Sequence, residues 1–119
     1  MKNIWVFIIV CSFLLVACGK EDIVLEQHEG MIAQIVDSGN ERAQMLVIPN
    51  VVEQDIANKT VEELIQLARD KDGAFYTFEL AKFDGLMVGT HIIAYWSGTQ
   101  LDSDPPQRTL ENVEILSEK

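Results

Sequence analysis

The sequence predicts a mainly β domain with one helix, folded as a small OB-like five-stranded barrel. Three observations carry this expectation. Five segments alternate at period two and are rich in β-branched and aromatic side chains, as strands are. One segment alone combines helical spacing with a helix start signal. A small all-β domain also gains by closing its sheet, because closure removes edge strands. The alternative is an open antiparallel meander covered by one helix. The usual OB order places its helix between strands three and four, whereas here the helix follows two clear strands. Either Val51 and Val52 belong to a third strand, or the topology differs.

In chain order, residues 30–36 are the first strand candidate, with Met31, Ala33 and Ile35 on one face and Ile32, Gln34 and Val36 on the other. Asp37-Ser38-Gly39-Asn40 is a turn by composition. Residues 43–48 form the next strand, closed by Pro49, so the two read as a hairpin. Residues 51–58 are ambiguous, because Glu53, Gln54, Asp55 and Asn58 interrupt the pattern that Val51 and Val52 begin. Thr60 opens the helix: its hydroxyl can accept from the amide three residues on while Glu63 reaches back, a capping box. Val61, Leu64, Ile65 and Ala68 then share one face, with Glu62, Gln66, Arg69 and Asp70 opposite. Asp72-Gly73 ends the helix, the glycine being expected in the left-handed conformation.

Residues 74–80 resume period two, with Ala74, Tyr76, Phe78 and Leu80 on one face. Residues 90–96 follow suit, apolar on both faces and therefore central, with Trp96 expected in the core. Ser97-Gly98 breaks that strand, and Asp102-Ser103-Asp104-Pro105-Pro106 excludes strand or helix interior because both prolines lack a donor. Residues 109–116 are the last strand. A hydrophilic loop, residues 98–107, is thus expected between two strands, and Gly98, Asp102, Ser103, Asp104, Pro105 and Gln107 make it the candidate partner loop.

Composition narrows the function classes. The chain of 119 residues carries 19 acidic and 9 basic side chains, a net charge of −10. That balance opposes binding to nucleic acid, which needs Lys and Arg to replace released counterions, and opposes lying flat on anionic lipid. Both cysteines, Cys11 and Cys18, fall in the first eighteen residues, so neither disulfide nor thiol chemistry is expected in the domain.

Residues 1–17 read as a signal peptide. Lys2 precedes an apolar run over residues 4–16 that is short for crossing ~30 Å of hydrocarbon. Leu15-Val16-Ala17-Cys18 resembles the lipobox of bacterial lipoproteins. That resemblance implies cleavage between Ala17 and Cys18 and attachment of palmitate-type acyl chains at Cys18; Cys11 is an apolar filler. The alternative is an uncleaved anchor helix. Residues 18–28 are then a tether that includes His28, and its patch Ile23-Val24-Leu25 belongs either to the tether or to the first strand. Residues 29–119 are the barrel domain. The expected location is the extracytoplasmic face of the cell membrane, reached through lipid at Cys18.

Together with that lipobox, the stretch VGTHIIAYWSGTQLDSDPPQ resembles the YobA-like family of small Gram-positive lipoproteins carrying a domain of unknown function. Gly30 matches the family's strand-opening glycine, Val88 and Gly89 its strand entry, Trp96 and Gly98 its strand end, and Ser103, Pro105 and Gln107 its loop. Asp104 stands where the pattern has an aromatic residue and Pro106 where it has alanine. The resemblance implies fold and location but no activity.

No catalytic or metal-binding constellation stands out, and no cofactor is expected. His91 is a lone strand histidine, and metal binding needs several converging ligands. Asp102 and Asp104 lack the further oxygen ligands of a calcium loop. Neither Ser97 nor Ser103 sits in a G-x-S-x-G turn, and Gly85 and Gly89 make no nucleotide fingerprint. Phe75, Tyr76, Phe78, Tyr95 and Trp96 read as core, because Lys82 and Arg108 alone cannot complete a nucleic-acid face. The expected function is a non-catalytic binding or interaction module with an envelope protein as partner. The alternatives are an envelope enzyme acting on wall polymer and a protein responsive to divalent cations. A concave pocket with converging polar groups would favour an enzyme.

Overall fold

The computed structural model describes residues 24–117. Seven strands and two short helices follow in the order β1 Glu26–Gly39, β2 Arg42–Ile48, α1 Glu53–Ile56, α2 Val61–Asp70, β3 Ala74–Glu79, β4 His91–Trp96, β5 Gln100–Leu101, β6 Gln107–Thr109 and β7 Asn112–Ser117. They form one mainly antiparallel sheet in the order β5-β6-β3-β2-β1-β4-β7, with β3 and β6 parallel. The sheet is not closed into a barrel, and it has seven strands where five were expected. β5 and the start of β6 lie inside the stretch read as loop, and the expected strand over residues 109–116 is divided between β6 and β7.

β1 serves two neighbours. Its first part, from Glu26 to Met31, pairs with β4, and its second part, from Met31 to Gly39, pairs with β2. The strand begins at Glu26, so the last three of the residues 18–28 read as tether are strand, and Val24 and Leu25 lie just outside it.

The sheet curls strongly. β3 and β4 stand three places apart in the order, about 14 Å on a flat sheet. Yet adjacent residues reach both: Leu110 N donates to Thr77 O of β3 at 2.9 Å, and Glu111 N to Tyr95 O of β4 at 2.8 Å. Only a sheet bent toward itself allows this.

Curling gives the sheet two apolar layers, which explains why β2 is apolar on both faces. Ala43, Met45 and Val47 face the inside with Ile32, Ala74, Tyr76, Phe78, Ile92, Ala94 and Leu110. Leu46 and Ile48 face outward and are covered by Ile56 of α1 and Leu64 and Ala68 of α2. Val61, expected on the buried face of the helix, is half exposed at its first turn. The capping box is present: Thr60 Oγ1 accepts from Glu63 N at 3.1 Å, and Thr60 N donates to Glu63 Oε1 at 2.8 Å.

The helix end differs from the expectation. Asp72 takes the left-handed conformation, φ 64, and Gly73 N closes the turn on Ala68 O at 2.7 Å. Gly73 is required for space instead, since a Cβ there would stand 2.8 Å from Ala68 Cβ and 2.9 Å from Val47 O. The ambiguous residues 51–58 form no third strand. They make α1, where Val52 N donates to Asp55 Oδ2 at 2.9 Å. Both helices therefore lie between β2 and β3.

Candidate functional site

Strand register brings the site together. Tyr76 of β3 stands opposite Arg108 of β6, and Arg108 opposite Gln100 of β5, so all three point to the inside of the curl. His28 of β1 and Trp96 of β4 reach the same place from the other arm. Arg108 Cζ lies 3.7 Å from the centre of the Trp96 ring and 5.6 Å from that of Tyr76, stacked in the manner of a cation on aromatic faces.

A hydrogen-bond chain runs through these residues. Gln100 Nε2 donates to Asp102 Oδ1 at 3.1 Å, and Arg108 Nε donates to Gln100 Oε1 at 2.8 Å. Arg108 Nη1 donates to Tyr76 Oη at 2.7 Å. His28 Nε2 lies 3.0 Å from Asp72 O, and a carbonyl only accepts, so Nε2 carries the proton. The neutral ring then accepts at Nδ1 from the Tyr76 hydroxyl at 2.8 Å. These proton positions follow from the network as a whole.

The electrostatics agree with that assignment. Burial holds the His28 pKa below its usual 6.5, the Arg108 cation adds to the lowering, and the Asp72 carbonyl and carboxylate oppose it. Burial also pushes the Tyr76 hydroxyl up to about 12, against the pull of Arg108. Both groups are therefore neutral near pH 7. Among the described residues Arg108 forms no ion pair, although the protein is strongly acidic. Its charge is met by two π faces, a hydroxyl and an amide. Trp96 is partly buried rather than fully in the core, and its Nε1 is buried without an acceptor.

Ala17 and Cys18 lie outside the described residues. Gly98 is exposed at φ 97 and starts the segment that leads to β5. Asp102, Ser103 and Asp104 are exposed. Asp104 O accepts from Arg69 Nε of α2 at 2.9 Å, while its carboxylate stands 4.0 Å from the same nitrogen. Ser103 Oγ donates to the main-chain oxygen of Pro105, which is buried, and Phe75 N donates to Pro106 O at 2.9 Å. Gln107 is exposed and opens β6 opposite Phe75 and Leu101. The segment is thus pinned to α2 and β3, and a shallow groove of about 420 Å³ runs along it between Thr77, Thr99, Leu101 and Thr109.

His91 is not alone, since its Nε2 lies 3.2 Å from Glu29 Oε2 in a second concavity of about 360 Å³. Among the described residues no three His, Cys, Asp or Glu converge as metal ligands, and no helix is long and apolar enough to cross a membrane. Sequence reasoning missed His28, Tyr76 and Arg108 as a unit. One signal was available: a tyrosine on the inner face of a strand needs a partner for its hydroxyl.

Comparison with known proteins agrees with the fold. Residues 29–117 match a family described as a protein of unknown function, DUF3221. The solution structure of residues 21–120 of Bacillus subtilis YobA superposes with a TM-score of 0.54 at 20% identity, covering 84% of this chain and 89% of that one. At this identity the likeness speaks for the fold alone. No curated protein matches.

Proposed function

The chain belongs to the DUF3221 or YobA-like family, whose function is unknown, and from that premise we propose a membrane-anchored extracytoplasmic lipoprotein carrying a non-catalytic binding or interaction module. The anchor rests on Leu15-Val16-Ala17-Cys18 following a basic start and a short apolar run. Two acyl chains at ~0.8 kcal/mol per buried CH₂ hold a protein on a bilayer, where one does so only marginally.

One observation carries the reading of the folded part. Glu26, where the chain enters β1, is paired with Trp96, after which the loop over residues 98–107 leaves β4. A Cβ on Gly98 would lie 3.7 Å from Glu26 Cγ. Tether and loop therefore leave the sheet side by side. Cys18 stands eight residues before Glu26, which allows a reach of about 27 Å from the bilayer. The loop is held in one shape, and its exposed Asp102 and Asp104 suit a basic surface of an envelope protein better than nucleic acid or anionic headgroups.

Metabolic labelling with a tagged fatty acid tests the anchor. Cys18→Ser abolishes labelling and leaves the signal uncleaved; unchanged labelling in the variant defeats the proposal. Crosslinking in intact cells tests the loop. Asp102→Asn combined with Asp104→Asn loses crosslinked partners while stability changes by less than ~0.5 kcal/mol, since Arg69 bonds the main chain of Asp104. Retention of every crosslink returns the loop to a structural role.

The parallel β3–β6 pair and the two-residue step from β6 to β7 support an OB-like arrangement in which residues 107–117 act as one kinked strand. Cross-strand proton contacts in solution test it: an unbroken series from Gln107 along β3 to Asn112 along β4 supports one kinked strand, and a break at Leu110 and Glu111 defeats it.

A further inference from the structure

We propose that His28 is a pH-operated latch: acidification frees the first three residues of β1, residues 26–28, from the sheet while the rest of the domain stays folded. The geometry isolates this end of the strand. Residues 26–30 pair with β4 alone, because pairing with β2 begins at Met31. Glu26 and Gln27 are exposed, so His28 is the side chain that ties this end to the interior, through Tyr76 and the Asp72 carbonyl.

That tie needs a neutral ring. Nδ1 accepts the Tyr76 hydroxyl only while unprotonated. Once protonated, it presents a second N–H to an oxygen that already accepts from Arg108, and the Tyr76 proton loses its acceptor. The groups facing His28 from each element are Arg108 of β6, Tyr76 of β3 and Asp72 at the α2–β3 turn; the residue opposite it on β4 is Ala94. Arg108 repels the imidazolium and Asp72 attracts it, but burial is the largest influence and favours the neutral form. On its own strand, Glu26 shares the face of His28 and is exposed, while Glu29 points to the other face and is engaged with His91.

The sign follows from linkage. The freed histidine takes up its proton near the usual 6.5, whereas the docked one does so only at lower pH. Between those two values the freed state binds more protons, so each step down in pH favours release. At and above neutrality neither form is charged and the latch is closed. Release uncovers the partner of Glu26, Trp96, and adds three residues to the tether, about 10 Å of reach. The gain in reach rests on the lipid anchor; the latch itself does not.

Proton NMR of the full chain in detergent micelles tests the latch through cross-strand contacts. From about pH 7.5 to about pH 5, the contacts between His28 and Ala94 and between Glu26 and Trp96 vanish, while those between Ile92 and Ile115 remain. His28→Gln, which cannot titrate, shows no pH dependence in either set, whether its strand end is docked or free. Persistence of the His28–Ala94 contact at low pH in the native chain overturns the proposal. So does a pH-driven loss that survives in His28→Gln, or a parallel loss of the Ile92–Ile115 contact.

Discussion

Gly30 sits so close to Ile48 that a Cβ on it would stand 2.8 Å from both the carbonyl carbon and the carbonyl oxygen of that residue. This is where β1 passes from β4 to β2, and the approach is between main chains, which cannot give way. Gly30→Ala is expected to lower unfolding stability by about 2–3 kcal/mol, at the upper range of overpacking. Gly39→Ala provides the contrast, because its site has φ 86 and open space around it. Backbone strain alone should cost about 1 kcal/mol there. Equal midpoint shifts for the two variants in urea would show that Gly30 matters for conformation rather than space.

Arg108 is expected to act through shape as much as charge. Arg108→Lys keeps the cation but loses the planar group on Trp96 and the fork that reaches Gln100 and Tyr76 together. A loss of about 2–3 kcal/mol is expected from the charged hydrogen bond and the stacking. Chemical denaturation followed by Trp fluorescence measures it, and a lysine variant as stable as the parent would contradict the stacking account.

Tyr76 predicts an alkaline weakening. The unfolded hydroxyl titrates at 10.0 and the folded one at about 12, so between these values the folded state holds the proton that the unfolded state has released. Stability therefore falls as pH rises through this window, by roughly 2–3 kcal/mol. Tyr76→Phe lacks this contribution. It starts lower below pH 10, with Arg108 and His28 left short of a partner, and the gap to the parent closes toward pH 12. A gap that stays constant with pH would refute the buried, neutral hydroxyl.

The alternation of β3 and β4 and the capping box at Thr60 were legible because each depends on local spacing alone. The positions of β5 and β6 were not. Their residues, Gln100-Leu101 and Gln107-Arg108-Thr109, are polar and short, and they become strands only because β3 offers an edge to pair with. Arg108 counted only as one of two basic residues too few for a nucleic-acid face, because its burial comes from residues 12 and 32 positions away, Trp96 and Tyr76. His28 was assigned to a tether because Glu26, Gln27 and Glu29 around it are polar. Gln27 and Glu29 turn to the other face, and Glu26, though on the face of His28, stands at the open end of the strand where it stays exposed.

The step through Leu110 and Glu111 also fixes an order of events during synthesis. A chain made from its N-terminus can pair β1, β2 and β3 early, since those partners are close in sequence. The curl is different, because residues 107–117 supply in one short run the strand beside β3 and the strand beside β4. Until that run has emerged, both of those strands present an unpaired side, and the inner apolar layer, Leu110 included, stays open. Folding should therefore finish in a single late event, slow because its contacts are distant in sequence. A nascent chain paused anywhere before residue 107 remains a sticky, half-rolled sheet for chaperones to hold.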